Sequence, residues 1–140
     1  MNYEFMKKFK PENNTIKEFN YWIVVIREKQ ITLGSMIIIL KRDVPSVADL
    51  LPEEAAEFPE IVSWFESLTK DLYGAEKFNY VIAMMKDNFV HYHAIPRYSK
   101  VIHKYGLQWE DKCWPGLIQF KPIEIDKNII EEIKNDMRNY

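Results

Sequence analysis

Cysteine occurs once, at Cys113, which leaves no partner for an intramolecular disulfide and no flanking motif that would activate the thiol, so it reads as a packing residue. A surplus of either charge is lacking too. The 19 Lys and Arg are interspersed with 21 Asp and Glu, and a net charge of -2 makes no field able to hold duplex DNA or an anionic membrane. A small anion held by local groups stays within reach. Long apolar runs are missing: the two longest, Trp22–Ile26 and Met36–Leu40, fall far short of the roughly 20 residues a membrane-spanning helix needs, and they read as strands. No basic-then-apolar leader with a small-residue cleavage site opens the chain, so a cytoplasmic location is expected, with neither membrane nor nucleic acid as partner. No internal repeat, heptad run or linker interrupts it, and 140 residues suit a single domain over 1–140.

What is present is a chain able to bury a core. Hydrophobic residues make up 47% and aromatics 14%, enough for 140 residues to fold without a disulfide or a structural metal. Residues 1–15 mix Lys, Asn, Pro and Glu without a period and are expected to form an irregular arm. The aromatic and β-branched residues of 19–27 predict a strand packed on both sides, and 35–41 repeat the pattern after a turn that ends at Gly34. After Pro45, the spacing of Phe58, Ile61, Phe65, Leu68 and Leu72 predicts a helix over 52–73, closed by Gly74. Pro59 should kink that helix or mark its true start. Glu53, Glu54 and Glu57 lie in the first turns, where carboxylates complement the helix dipole. Two further strand-like runs, 77–85 and 89–96, are separated only by Lys86, Asp87 and Asn88 and read as a hairpin, with Met84 and Met85 in the core or at most lining a pocket. Beyond Arg97 the pattern is mixed until Ile129, Ile130, Ile133 and Met137 predict a short C-terminal helix. Strands, helix, strands and helix in that order argue an α+β domain with an antiparallel sheet.

Of three histidines, two lie in Phe89-Val90-His91-Tyr92-His93-Ala94-Ile95-Pro96. On a strand, alternate side chains share a face, so His91 and His93 project the same way with Cα atoms about 6.5 Å apart. One neutral imidazole could attack phosphorus while the other donates to the developing charge, and neither task needs a metal. Two other readings stand beside this one. The pair could be ordinary strand residues, or it could join Asp87, which has the same parity if the strand extends back, in a site for Zn²⁺ or a similar ion. His103, among Lys100, Lys104 and Tyr105, reads as an exposed loop histidine. Tyr92 and Tyr98 read as packing residues.

The run Val90-His91-Tyr92-His93-Ala94-Ile95-Pro96-Arg97 resembles the second half of the histidine-triad (HIT) signature, His-φ-His-φ-His-φ-φ with φ apolar, followed in several branches by Pro-Arg. Upstream, Arg27-Glu28-Lys29-Gln30-Ile31-Thr32-Leu33-Gly34-Ser35 is similar to the family's first hairpin and Phe78-Asn79-Tyr80 to the strand before the motif. Trp114-Pro115-Gly116 fits a bacterial branch of small HIT-domain proteins. The resemblance implies a HIT-like fold with roughly five antiparallel strands, one main helix and a short C-terminal helix, residues 98–140 forming an extension on or near the core. It implies a nucleotide hydrolase or nucleotidyl transferase that needs no cofactor. His91 would be the nucleophile that carries the nucleotidyl group and His93 the phosphate ligand. A homodimer acting on a nucleotide or nucleotide conjugate is implied by the same resemblance.

Departures from the pattern are specific. Phe89 stands at the first triad histidine, Ser35 where many members carry an auxiliary histidine, and Arg27 where they often have an Asp or Asn for the ribose hydroxyls. These three positions motivate an alternative, a nucleotide-binding or regulatory homologue with little turnover. The candidate nucleotide- and phosphate-binding set is Arg27, Asn79, Asn88 and Arg97. Arg97 offers a planar, permanently charged fork, Arg27 with Lys29 flanks the hairpin turn, and Asn88 stands in for a loop Ser or Gln.

Overall fold

A computed structural model describes residues 7–140. A four-residue helix α1 (Pro11–Asn14) leads into β1 (Thr15–Glu18), followed by β2 (Trp22–Ile26) and β3 (Met36–Leu40). The long helix α2 (Pro52–Tyr73) precedes β4 (Lys77–Val81) and β5 (His91–Arg97), and a hairpin of β6 (Ile102–Lys104) and β7 (Leu107–Trp109) precedes α3 (Lys127–Arg138). Strands β1 to β5 form one sheet in the order β1-β2-β3-β5-β4, every pair antiparallel, while β6 and β7 make a separate two-stranded ribbon. The expected α+β class, five-stranded sheet, main helix and C-terminal helix are all observed.

The apolar runs of β2 and β3 are buried at every position because the sheet is covered on both faces. On one face Trp22, Val24, Ile26, Met36, Ile38 and Ala94 pack with Ile61, Phe65 and Leu68 of α2. On the other, Ile23, Val25, Ile37 and Ile39 form a smaller cluster with Phe9. This second face carries the histidines. The cross-strand pairs Ile37 with His93 and Ile39 with His91 put both imidazoles beside that cluster.

Helix α2 starts at Pro52, and Pro59 sits inside it without ending it. The first-turn carboxylates do more than face the dipole. Glu54 accepts from the Leu51 N–H at 2.7 Å and from Arg42 at 2.8 and 3.0 Å, and the Arg42 guanidinium holds its carboxyl below the ordinary range. Glu57 accepts from the N–H groups of Asn20 and Tyr21 and so clips the β1–β2 turn to the helix. Gly74 closes α2 in the left-handed conformation, as the sequence implied.

Three expectations fail. Of the arm expected over 1–15, residues 1–6 lie outside the described residues, and the rest holds α1 and the first residue of β1. Its last turn is fixed by α3, where the buried Lys134 ammonium donates to Asn13 O and Asn14 Oδ1 and Arg138 donates to Asn13 O and Thr15 O. The β4–β5 connection is 82–90, not a three-residue turn: Val90 is drawn away to exchange backbone bonds with Val44 and Leu40, and β5 begins at His91. Met85 is therefore not core but 85% exposed on that loop.

The β2–β3 connection is locked by its own polar side chains. Buried Gln30 donates to Arg27 O and Ser35 O and accepts from the Gly34 and Ser35 N–H groups, while the Ser35 hydroxyl bonds Thr32. Gly34 has φ of +90°, and a Cβ there would meet Thr69, Pro96 and Tyr73 at 3.3–3.4 Å, so only glycine fits.

Candidate functional site

His91 and His93 share one face of β5, their ring centroids 5.1 Å apart and their planes at 78°. His91 is only 3% exposed, with the Phe9 ring 6.0 Å away, and His93 is partly exposed beside Phe120 at 5.2 Å. Nδ1 of His91 lies 2.7 Å from the Phe89 carbonyl oxygen. A carbonyl can only accept, so Nδ1 carries the proton and Nε2 the lone pair. Nδ1 of His93 lies 3.2 Å from Nη1 of Arg27. A guanidinium can only donate, so this Nδ1 carries the lone pair and Nε2 the proton. The two imidazoles are neighbours in opposite tautomers, one presenting a nucleophilic nitrogen and the other an N–H donor.

Burial keeps both rings neutral. Loss of solvent pushes His91 below its ordinary value, outweighing the Phe89 carbonyl that favours its charged form. His93 is pushed down to about 4, first by burial and then by the charge of Arg27. Burial also lowers the Arg27 guanidinium, whose Nε donates to Lys29 O at 2.8 Å and whose Cζ lies 5.8 Å from the Phe120 ring centroid.

The place of Phe89 in the pattern thus matters less than its side chain suggested, because the orienting group toward His91 is a backbone carbonyl that any residue supplies. Arg27 is brought beside His93, its Nη1 3.2 Å from the imidazole Nδ1. Asn88 is exposed in the 82–90 loop. Arg97 and Asn79 are a correction. Arg97 is 4% exposed and donates to both Asp111 oxygens at 2.5 and 3.2 Å, to Asn79 Oδ1 at 2.7 Å and to Gly116 O at 2.9 Å. Its fork is engaged in fastening the Trp114-Pro115-Gly116 segment and β4, and the side chain is buried against them. Ser35, buried in the hairpin turn, is likewise structural.

The metal grouping of Asp87, His91 and His93 is not assembled. Asp87 lies in the 82–90 loop and pairs with Lys8 at 2.5 Å, and among the described residues no three His, Cys, Asp or Glu side chains are grouped to hold an ion. His103 is exposed as expected, on β6 and not in a loop. Tyr92 packs on Phe58 and Trp22, and the Tyr98 hydroxyl donates to Leu33 O, both as packing residues. Sequence reasoning missed Phe9, Lys8, Phe120 and Asp111. Each reaches the site, or the residue thought to belong to it, from a distant part of the chain, and no local pattern marks them.

No family model matches the chain, and no curated protein matches it. Solved structures do. A hypothetical histidine triad nucleotide-binding protein from Sulfolobus tokodaii strain 7 superposes with a TM-score of 0.73 at 17% identity, over 97% of this chain and 89% of that one. A histidine triad protein from Sinorhizobium meliloti 1021 gives 0.71 at 18%, over 93% and 92%. The Plasmodium falciparum diadenosine triphosphate hydrolase gives 0.66 at 16%, over 92% and 76%. The chain has the histidine-triad fold.

Proposed function

We propose that this protein is a HIT-type nucleotide hydrolase or nucleotidyl transferase in which Nε2 of His91 attacks the α-phosphorus of a nucleotide phosphoester, phosphoanhydride or phosphoramidate. The observation that carries the reading is the pair of opposite tautomers. As the lone pair of His91 Nε2 forms a bond to phosphorus, the bond to the leaving group breaks. The leaving group departs with that electron pair and takes a proton from solvent. The imidazole becomes cationic, and its Nδ1–H stays on the Phe89 carbonyl, which accepts more strongly as the charge develops. Charge gathering on the non-bridging oxygens meets the Nε2–H of His93. Water or another acceptor then attacks phosphorus, the N–P bond breaks, the lone pair returns to Nε2, and the acceptor's proton goes to solvent.

A second reading has its own support: a nucleotide-binding protein with little turnover. His91 is 3% exposed beneath Phe9, so a substrate must displace that cover before it reaches Nε2. The homodimer implied by the resemblance belongs to either reading.

The test follows nucleoside monophosphate release from nucleoside phosphoramidates and dinucleoside polyphosphates, using chelator-treated wild type and His91→Ala. Release that survives chelation and disappears in the variant supports the enzyme. Saturable binding with no release from either protein overturns it in favour of the binding protein.

A further inference from the structure

Residue 27 follows β2, 66 positions before His93, yet among the described residues its guanidinium makes the one side-chain hydrogen bond to that imidazole. A residue fixed in this way acts on chemistry through another side chain. We infer that Arg27 is a positioning residue: by donating from Nη1 to Nδ1 of His93 it holds that ring as the Nε2–H form, so that His93 serves the reaction as a neutral hydrogen-bond donor and not as a second base.

Three observations converge on this. The Arg27 Nε is anchored on Lys29 O, and Gln30 grips the Arg27 carbonyl at 2.6 Å, so the guanidinium is aimed by a hairpin that is itself locked. Phe120 lies against both partners, 5.2 Å from the His93 ring and 5.8 Å from the guanidinium, and limits the rotation of each. Burial and the adjacent cation both disfavour protonation of His93. The charged or titratable groups facing His93 are Arg27 from the β2–β3 connection, His91 on its own strand, Asp87 of the 82–90 loop and Lys8 of the N-terminal segment, with Asp87 alone favouring the charged form. The ring therefore has one proton and one place for it.

The chemical consequence is a division of labour. Without Arg27, His93 could carry its proton on either nitrogen, and only the Nε2–H form offers a donor on the side away from Arg27. With it, Nε2–H is present before substrate arrives and no reorganisation is needed as charge develops. The inference rests on the reading of His93 as the phosphate donor, but the arrangement it describes exists in the ligand-free protein and can be read there.

The experiment records two-bond 1H–15N correlation spectra of the histidine rings in 15N-labelled, ligand-free protein from pH 8 to pH 5, for wild type, Arg27→Met and Arg27→Lys, with His93→Gln assigning the His93 signals. Wild type should show His91 in the Nδ1–H form and His93 in the Nε2–H form. In Arg27→Met the His93 pattern should become a mixture that titrates nearer to the ordinary value of about 6.5, with His91 unchanged as the internal check on folding. Arg27→Lys, which keeps a donor, should restore part of the wild-type pattern. An Arg27→Met spectrum in which His93 keeps Nε2–H and its titration overturns the inference, as does a wild-type His93 protonated at Nδ1. Turnover is read separately: Arg27→Met should lower kcat by about tenfold to a hundredfold with little change in KM, a loss short of the ~10⁴ that a wrong tautomer costs in a serine-protease triad. A tautomer change in a protein that releases no nucleotide would defeat only the enzymatic reading.

Discussion

His91 and His93 stand 5.1 Å apart with their protons on opposite nitrogens, one fixed by the Phe89 carbonyl and the other by the Arg27 guanidinium. Under the proposed function, two imidazoles of identical chemistry take different tasks because a main-chain acceptor and a guanidinium donor hold their protons on different nitrogens. Phe89 enters this arrangement only through its main-chain carbonyl, so the identity of its side chain does not set the His91 proton.

Activity should persist into mild acid. Burial lowers both imidazoles from the ordinary 6.5, so kcat/KM should fall only in acid, with the midpoint of its acid limb below 6.5. An acid limb with its midpoint at or above 6.5 would contradict the electrostatics of the site.

Stability should show the same groups with the opposite emphasis. His93 binds its proton at about 4 in the folded chain and at the ordinary 6.5 when unfolded, so the unfolded state binds more protons between those values and stability declines as pH falls through that window. Above 6.5 and below 4 this group contributes no slope. The full shift would cost about 3 kcal/mol, and partial exposure of the ring reduces it to about 2 kcal/mol. Urea titrations from pH 7 to pH 4 should therefore show a decline that His93→Gln flattens.

Arg97 should prove structural. Asp111 is fully buried and Arg97 nearly so. Arg97→Ala strands a buried carboxylate and should lower stability by about 3–5 kcal/mol. Replacing Arg97 and Asp111 together by Met and Leu should recover a large part of that loss. A phosphate role predicts instead a raised KM with an unchanged melting temperature.

The cover over His91 should be removable. Phe9 packs against the ring, and Lys8 ties the same segment to Asp87 at 2.5 Å. Phe9→Ala, and to a lesser degree Asp87→Asn, should make His91 react faster with diethyl pyrocarbonate, by about tenfold for Phe9→Ala if loss of a packed aromatic exposes the ring at a cost near 1.4 kcal/mol. Peptide mapping of the modified histidine checks this, and an unchanged rate in Phe9→Ala would show that Phe9 does not govern access.

The parts of the fold legible in the sequence are those whose burial is two-sided or strictly periodic. Strands expected over 19–27 and 35–41 are observed at Trp22–Ile26 and Met36–Leu40, inside those bounds, and the stripe of Ile61, Phe65 and Leu68 located α2. Strand β1 escaped because Thr15–Glu18 is short, polar at all but Ile16 and at the sheet edge, where burial leaves no clean alternation. The start of β5 was misplaced because Phe89 and Val90 look like strand residues, yet Val90 is buried through loop pairing with Val44. At the site, the parity of His91 and His93 was visible because they are two residues apart. What sets their tautomers was not: Arg27 was a candidate for the ligand and not for His93, 66 positions away, and the ion pair of Arg97 with Asp111 is made across a separate hairpin.

The measurement closest to the central claim is a rapid quench of the protein with a nucleoside phosphoramidate, followed by peptide mass mapping at alkaline pH, where an N–P bond survives. The account predicts one nucleotidyl adduct per chain on His91, absent in His91→Ala and present but slower to form in His93→Gln. An adduct on His93 or His103, or release of nucleotide with no adduct at any time, would contradict it.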